Sequence, residues 1–212
     1  MKLFKYQDKL VRVTDHQGRV FTGIADTFPP GYGLHELNRE EEGLQIGEYM
    51  IFESDIGKVE FLPSYEEALQ SIPLGRYRHF KGKDYEVIAI ARHSETEEPM
   101  VVYRALYGDG GVWVRPAAMW NETVERDGKI YRRFYRLDRI ERVEKYERLF
   151  DEASARPDVE KLRRLEAYYT SGEWREDYEA DEQGELPPDL KRGVLSQDAL
   201  YDLLEEIKKN AD

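Results

Sequence analysis

The sequence predicts an α+β protein of several domains, in which two small β-barrels are followed by a C-terminal α-helical region. Apolar and polar residues alternate with the period of a β-strand in several segments up to about residue 136. From Asp138 the apolar residues recur every three or four positions, as in an amphipathic helix. We therefore expect a small β-barrel over residues 1–62, a linker over 63–73, a β-rich domain over 74–137 and an acidic helical domain over 138–212.

The first block predicts short strands joined by turns. Residues 10–14 and 20–25 alternate, and the segment from Asp15 to Gly18 is typical of a hairpin turn. Further strands are expected over residues 49–53 and 58–62. Because so short a sheet gains most by closing its edges, we expect these strands to form a small barrel.

Within this block, Val11-Arg12-Val13 is followed by Gly18-Arg19-Val20-Phe21-Thr22-Gly23. This pattern resembles the first signature of the Sm-like (LSm) fold, a strongly bent five-stranded barrel, and the resemblance covers residues 6–62. RNA-binding members of that family read the base through an Asp-x-Asn loop and an Arg-Gly pair. At the corresponding places this chain has Asp26-Thr27-Phe28 and Glu53-Ser54-Asp55. An acidic residue in place of the arginine argues against RNA binding of the Sm type, so the resemblance implies a barrel used for assembly or as a spacer.

The linker predicts a short helix. Ser64 is followed three residues later by Glu67, which is the pattern of a capping box at a helix start. Pro73 ends the segment. The two β-rich blocks are therefore expected to be joined by a spacer of some stiffness.

The central block again predicts strands, over residues 85–91, 100–106 and 112–114, with a tight turn at residues 108–111. Residues 73–137 hold 12 basic and 9 acidic side chains, a net charge of +3, in a chain whose total is -12. Segments 75–82, 91–96, 102–107 and 113–116 resemble, in order, the hallmarks of a bacterial family catalogued as domain of unknown function number 1653. We expect this domain to be a second small barrel, SH3-like or similar, and the resemblance implies no activity.

Arginines, histidines and aromatic residues concentrate in this central block. Arginine carries five fixed donors, grips phosphate and stacks on rings, so the set is a candidate surface for nucleic acid or a nucleotide-like anion. Its members are Arg76, Tyr77, Arg78, His79, Arg92, His93, Arg104, Trp113 and Arg115. The alternative is that these arginines form surface ion pairs, each contributing little to stability. The carboxylates considered for those pairs are Glu86, Glu95, Glu97 and Glu98.

No complete catalytic or metal-binding motif accompanies these residues. His93-Ser94-Glu95 offers a base, a hydroxyl and a carboxylate, but neighbours in a strand point to opposite faces. His79 and His93 lie fourteen residues apart, which is not a metal-ligand spacing. We therefore assign no catalytic residue, no metal ligand and no cofactor, and expect a non-enzymatic binding or adaptor protein. The alternative is a hydrolase or transferase that acts on a nucleotide-like substrate.

From Asp138 the sequence predicts three helices. The first presents Ile140, Val143 and Leu149 on one face, and the second ends near Ser171 and Gly172. The third begins after Ser196 as its N-cap. Its apolar face consists of Leu200, Leu203, Leu204 and Ile207.

Between the second and third helices, residues 173–193 are expected to form an acidic loop. Residues 165–206 resemble a second family of unknown function, number 4298, through the run from Ser171 to Asp181 and two later segments. A charged loop punctuated by aromatic residues suits docking of a protein partner; a solvated loop pinned by Trp174 and Tyr178 is the alternative. The docking candidates are Trp174, Arg175, Tyr178, Lys191 and Arg192. A calcium loop counted from Asp177 would need glycine and glutamate where Glu182 and Pro188 stand.

The composition excludes several classes of protein. The chain has no cysteine, which rules out disulfides, thiolate metal sites and cysteine nucleophiles. Its apolar runs are too short to span a membrane, and its start leads into a charged strand instead of a signal peptide. We expect a soluble cytoplasmic protein with no membrane partner. Binding of a polyanion would be local and salt-sensitive because the whole chain is acidic. A protein partner at the acidic C-terminal region and a homo-oligomer are both compatible with the sequence.

Overall fold

A computed structural model describes residues 2–32, 39–156, 158–199, 201–203 and 205 of the chain. The strands are β1 (Lys9–Asp15), β2 (Val20–Phe28), β3 (Gly43–Ile46), β4 (Tyr49–Phe52), β5 (Ile56–Phe61), β6 (Gly75–His79), β7 (Asp84–Arg92), β8 (Pro99–Ala105), β9 (Val112–Pro116), β10 (Thr123–Arg126), β11 (Lys129–Arg132) and β12 (Phe134–Arg136). The α-helices are α1 (Tyr65–Ser71), α2 (Ala117–Trp120), α3 (Leu137–Ala155), α4 (Val159–Tyr169) and α5 (Gly172–Glu182). Short 3-10 turns lie at Leu3–Tyr6, Glu53–Asp55 and Gly193–Leu195. The coarse prediction of an α+β chain with a C-terminal helical region is confirmed.

The first sheet is antiparallel, with strand order β4-β3-β2-β1-β5. Val11 and Val13 of β1 point inward and are fully buried, while Arg12 between them is partly exposed, as the alternation predicts. They pack with Ala25, Leu44 and other apolar residues in one core. Closure of this sheet into a barrel, and its Sm-like type, stay predictions.

Two glycines allow β1 and β2 to take their positions. Gly18 closes the turn between them with φ +82°, in the left-handed region that glycine adopts without strain. At Gly23 an added Cβ would lie 2.9 Å from Ile46 Cγ2. A side chain at residue 23 would therefore push apart β2 and the end of β3.

The linker helix α1 begins as the sequence predicts. The Ser64 side chain accepts a hydrogen bond from the Glu67 backbone N–H at 3.2 Å, and the Glu67 carboxylate accepts one from the Ser64 backbone N–H at 2.7 Å. Both bonds of the capping box are present. The N-terminus of α1 is thereby satisfied within the chain.

The second sheet has the order β12-β6-β7-β8-β9, and β10 and β11 form a separate hairpin. The alternation predicted β7, β8 and β9. It did not predict β6, β12 or the β10–β11 hairpin, which lie in stretches dense in arginine and lysine. The prediction that strands end near residue 136 and that helices follow is confirmed for the described residues.

In the C-terminal region, α3, α4 and α5 enclose an apolar core that includes Val143, Leu165 and Trp174. The prediction of a loop over residues 173–193 is wrong for its first half, because residues 172–182 are the helix α5. Residues 197–199 and 201–203 are helical, and Leu203 packs against the same core. Leu200, Leu204 and Ile207 of the predicted third helix lie outside the described residues.

Contacts between residues divide the chain into two compact units. The first unit comprises residues 1–74, 87–104 and 111–120. The second comprises residues 75–86, 105–110 and 121–212. None of the helices in the described residues is long and apolar enough to cross a membrane.

Candidate functional site

A groove of about 730 Å³ lies in the first unit and is the candidate site. It is lined by three segments of chain: the start of β2, the β3–β4 hairpin and the turn between β7 and β8. Its lining residues are Arg19, Val20, Phe21, Thr22, Gly23, Ile24, Ile46, Gly47, Tyr49, Met50, Glu95, Thr96 and Glu97. We call this set the β2 groove.

The floor of the β2 groove is a half-paired strand. Residues 20–25 of β2 pair with β1, but β3 pairs with β2 only along residues 25–28. A strand with a neighbour on one side leaves alternate N–H and C=O groups without a strand partner on the other side. Residues 20–24 therefore present an open strand edge to the groove.

The wall of the β2 groove is apolar and aromatic. The rings of Phe21 and Tyr49 are 5.2 Å apart, and Tyr49 is 61% exposed. Val20 and Ile24 are also about half exposed or more. Exposed apolar side chains beside an open strand edge are the features of a surface that takes up another polypeptide segment.

The rim of the β2 groove is a tightly held turn. The His93 ring Nδ1 accepts hydrogen bonds from the backbone N–H groups of Glu95 and Thr96, both at 3.3 Å. Glu97 has φ +59°, a left-handed conformation that costs energy for a residue other than glycine. Glu98 is buried and accepts a hydrogen bond from Arg12 of β1 at 2.8 Å, which ties the turn to the first sheet.

Charge at the rim of the β2 groove is mainly negative. Glu95 is exposed and has no ion-pair partner among the described residues, and Glu97 lies 3.8 Å from Arg92. At the other end, Arg19 donates to the buried carboxylate of Asp15 at 2.6 Å. Burial raises the pKa of Asp15, but hydrogen bonds from Arg19 and Gln17 more than offset this and lower the pKa below its usual value. Asp15 is therefore ionised and neutralises Arg19, so that Glu95 and Glu97 set the local charge.

The predicted anion-binding residues fall in both units, and the prediction that they form one surface stays a prediction. In the second unit, Arg76 donates to both oxygens of Glu141, at 3.1 and 2.6 Å, and Arg78 donates to both oxygens of Asp84, at 2.8 and 3.1 Å. Two of the arginines thus follow the alternative of internal ion pairs. Their partners are not the carboxylates that we considered from the sequence, whereas Arg92 in the first unit does pair with one of these, Glu97, at 3.8 Å.

Tyr77 and His79 of β6 contribute to packing within the second unit. Tyr77 is 4% exposed, and burial raises its pKa to about 12, with Arg136 acting in the opposite direction. The His79 ring lies 4.5 Å from the Phe80 ring and 5.0 Å from the Phe134 ring. A buried tyrosine cannot stack on a ligand, so Tyr77 is better assigned to the core.

In the first unit, Arg92 and His93 occupy the end of β7 and the turn that follows. The Arg92 guanidinium lies 4.6 Å from the centre of the Tyr65 ring and 3.4 Å from a Glu66 oxygen. His93 holds the turn through its Nδ1. His93 is exposed in the turn that forms the rim of the β2 groove, and its role as a ligand contact stays a prediction.

The strand register separates Arg104 from Trp113 and Arg115. Trp113 lies opposite Tyr103 and Arg115 opposite Val101, whereas Arg104 lies opposite Val112. Residues directly opposite share a face of the sheet. Trp113 and Arg115 are therefore on one face and Arg104 is on the other, which argues against their convergence on one ligand.

The predicted docking residues of the C-terminal region mostly hold that region together. Trp174 is buried, stacks on Tyr178 at 5.3 Å, and donates its indole N–H to the Val194 carbonyl at 3.0 Å. Of the docking candidates on α5, Arg175 alone is exposed. The solvated-loop alternative was right about the anchoring role of the two aromatic residues, although the segment is a helix.

Lys191 and Arg192 are engaged in ion pairs. Lys191 donates to Asp151 at 2.5 Å, and Arg192 pairs with Asp181 and donates to the Pro187 carbonyl at 2.7 Å. These contacts bind the segment after α5 to the helices. Exposed docking through these two cations would require their partners to be released.

Sequence reasoning missed a buried carboxylate, Asp177 of α5. Its side chain is fully buried and accepts from Arg142 at 2.7 and 2.6 Å and from the Tyr168 hydroxyl at 2.8 Å. The pKa of Arg142 is raised by its hydrogen bonds to Asp177. The spacing of Trp174, Asp177 and Tyr178 was the available signal, since it places all three on one face of a helix.

The acidic residues at the Sm-type loop positions make contacts within the chain. Asp55, in the segment Glu53-Ser54-Asp55 that stands at the place of the Sm-type Arg-Gly pair, is paired with Arg39 at 2.5 Å. The Arg39 guanidinium lies 4.2 Å from the centre of the Phe52 ring. Asp26 accepts a hydrogen bond from Gln7 at 2.8 Å. Within the described ranges, no group of three or more histidine, aspartate and glutamate side chains could hold a metal ion.

Comparison with protein-family models gives two matches. Residues 75–136 match the family described as Protein of unknown function (DUF1653), and residues 138–212 match the Domain of unknown function (DUF4298). These bear out the two resemblances drawn from the sequence for the central and C-terminal parts. The Sm-like resemblance of residues 6–62 has no such support.

One similar solved structure is a DUF1653 protein from Bordetella bronchiseptica. It is 40% identical over 31% of this chain and 87% of its own, with a TM-score of 0.29. Comparison with curated proteins gives no match. The family-model match therefore identifies the central domain and assigns it no activity.

Proposed function

We propose that this chain, which belongs to the DUF1653 family through residues 75–136, is a non-enzymatic binding protein that holds an extended peptide in the β2 groove. The observation that carries the proposal is the open edge of residues 20–24, flanked by Phe21 and Tyr49. A peptide lying along this edge would pair its main chain with β2, as in other cases of β-augmentation.

The side chains around the edge determine what kind of peptide fits. On one side, Val20, Ile24 and Tyr49 offer apolar contact to alternate residues of a strand. On the other, Glu95 and Glu97 favour positively charged side chains. The proposed ligand is therefore an extended segment in which apolar and basic residues alternate.

The rim supports the proposal because it is held in place before any ligand binds. Hydrogen bonds to His93 and the ion pair of Arg12 with Glu98 hold the turn in one conformation, including the left-handed backbone of Glu97. A preformed rim reduces the entropy that binding must offset. Strained residues kept by their surroundings cluster at functional sites.

The test uses a fluorescein-labelled peptide of four Val-Lys repeats and, as its charge-reversed counterpart, four Val-Glu repeats, followed by fluorescence anisotropy. We expect the Val-Lys peptide to bind and the Val-Glu peptide not to bind. Tyr49→Ala should weaken binding about three- to tenfold, the loss of one aromatic contact. Glu95→Gln with Glu97→Gln should weaken it further and reduce its dependence on salt.

Matched controls lie outside the groove. Tyr32→Ala removes another tyrosine that is 62% exposed, and Glu179→Gln with Glu182→Gln removes two exposed carboxylates of α5. Neither control should change the affinity for the Val-Lys peptide. Equal binding by groove and control variants, or no binding at all, would overturn the proposal. Binding of a single-stranded oligonucleotide that is lost in Arg92→Ala with Arg115→Ala would favour the anion surface instead.

A further inference from the structure

The outer strand β9 of the second sheet carries an unusual run of exposed apolar residues. Val112, Trp113 and Val114 are 59%, 60% and 63% exposed, whereas Trp120 and Trp174 are 1% and 7% exposed. Together the three side chains expose on the order of 300 Å² of apolar surface, a patch size that marks interaction surfaces. This feature is independent of the β2 groove and of the function proposed for it.

The exposure follows from the position of β9 in the sheet. β9 is the last strand of the order β12-β6-β7-β8-β9, so it has β8 on one side. Trp113 lies on the face of Tyr103, and Val112 and Val114 lie on the face of Arg104 and Val102. Apolar side chains therefore project from both faces of an edge strand. Natural edge strands are usually protected by charges, which these three positions lack.

We propose that two copies of the chain associate by antiparallel pairing of β9 with β9, centred on Trp113. The sequence Val112-Trp113-Val114 is the same in both directions, so this register places Val112 opposite the second copy's Val114 and Trp113 opposite the second copy's Trp113. The same patch serves both copies, as a two-fold axis requires. The second sheet of one copy and the second sheet of the other copy then become one continuous sheet.

The charges near the patch agree with this register. Arg115 comes opposite Gly111 of the second copy, so the two Arg115 side chains do not face each other. It also lies diagonal to the second copy's Trp113, where a guanidinium is attracted to an indole face. A dimer centred on Val112 would instead place Trp113 opposite Gly111 and Val114 opposite Gly110, so the pairing of Trp113 with Trp113 would be lost.

The size of the patch sets the strength expected. Two copies would bury roughly 600 Å² of apolar side-chain surface, less than the about 1,200 Å² of a standard stable interface. Pairing of main-chain groups adds to this. The dimer is therefore expected to be weak, with a Kd in the micromolar range, on the order of 10 to 100 μM.

Cross-linking tests the register, because the full chain has no cysteine of its own. Directly opposite residues have Cα atoms about 4.5 to 5.5 Å apart, within reach of a disulfide, and diagonal ones about 7 to 8 Å. Under mild oxidation we expect Trp113→Cys alone to form disulfide dimers. Val112→Cys and Val114→Cys should each form at least tenfold less alone, but should cross-link to each other when mixed. Efficient dimers of Val114→Cys alone, or no cross-link in the mixture, would overturn the proposed pairing.

Sedimentation velocity tests association without oxidation. The unaltered chain should shift from monomer to dimer between about 1 and 300 μM, the range that brackets the expected affinity. Val114→Lys should keep it monomeric at the highest concentration. The control is Val159→Lys at the start of α4, where the valine is 65% exposed, and it should dimerise normally. A monomer at every concentration, or a dimer that Val114→Lys leaves intact, would refute the inference.

Discussion

Two arginine–carboxylate pairs of this chain use the same chemistry in opposite surroundings. Arg142 donates two hydrogen bonds to Asp177 in the C-terminal helical region, where the carboxylate side chain is 0% exposed. Arg92 lies 3.4 Å from Glu66 in the first unit, where the two side chains are 50% and 68% exposed. The buried carboxylate has its hydrogen-bond partners because an unpaired charge in the protein interior is strongly destabilising. The exposed pair is loose because water can replace either partner.

The third partner of the buried pair makes the difference sharper. Tyr168 donates its hydroxyl to Asp177, and burial, followed by the charge of Asp177, raises the pKa of this phenol. The helical region thus fixes its charges in one arrangement. The first unit keeps charged groups at the surface, where they remain available to a ligand.

The largest expected effect comes from breaking the buried pair. Asp177→Ala would leave the Arg142 charge and the Tyr168 hydroxyl without their acceptor, and we expect the free energy of unfolding to fall by about 3 to 5 kcal/mol. Urea unfolding followed by circular dichroism measures this. The control is Glu141→Ala, which removes the exposed partner of Arg76 and should cost less than about 1 kcal/mol. Equal effects for the two variants would contradict the comparison.

The buried Tyr77 of the second unit predicts how the stability of the fold changes at alkaline pH. The pKa of Tyr77 is raised to about 12 by burial, so the folded state holds a proton that the unfolded state loses near pH 10. Stability is therefore fully present below pH 10 and falls as the pH rises from about 10 to 12, by about 1.4 kcal/mol per pH unit at most. Tyr77→Phe should flatten this fall, whereas Tyr32→Phe at an exposed position should not. Parallel pH profiles for the two variants would show that burial of Tyr77 is not the cause.

Close packing, rather than charge, governs the next effect. Gly23→Ala should lower the free energy of unfolding by about 1 to 3 kcal/mol, because the new Cβ meets Ile46 in the floor of the β2 groove. Gly172→Ala is the matched control. Gly172 has no atom within 4 Å of an added Cβ and begins α5, so alanine there should be neutral or stabilise by up to about 1 kcal/mol. Thermal melts of both variants decide whether the close approach matters.

The smallest effect is expected at the exposed pair. Arg92→Ala should change the free energy of unfolding by no more than about 0.5 kcal/mol, since ion pairs in water contribute little. The change should be even smaller in 0.5 M salt, where exposed charges are screened. A loss above about 2 kcal/mol would mean that the contact of Arg92 with Tyr65 is structural.

The sequence predicted most strands of the fold from alternation, and β1 is the clearest case, with Val11 and Val13 inside. It could not predict α5, because the inward position at residue 177 is a carboxylate and the apolar period is therefore interrupted. Strand β6 was not predicted for a related reason: Arg76 and Arg78 flank the single buried residue Tyr77. Periodicity reveals an element only where the buried face is apolar.

The candidate site was harder to predict than the fold. Residue type marked the arginines as ligand contacts, but their pairing with Glu141 and Asp84 depends on which elements become neighbours. The β2 groove depends on where β3 stops pairing with β2 at Ala25, a matter of register that residue types do not encode. The one clear signal was the segment from His93 to Thr96, which the sequence singled out and which forms the rim.

The turn from Asp15 to Gly18, between β1 and β2, also affects the order in which parts of the chain fold. It lets Val13 pair with Phe21 eight residues away, whereas the pairing of Val13 with Val59 spans forty-six residues. The closure of the shorter loop costs less entropy, so the β1–β2 hairpin forms readily while later strands are still absent. During synthesis, β1 therefore waits with one edge uncovered until residues 56–61 leave the ribosome. In that interval the nascent chain is most exposed to pairing with a neighbouring nascent chain, and a pause in translation before residue 56 would prolong the risk.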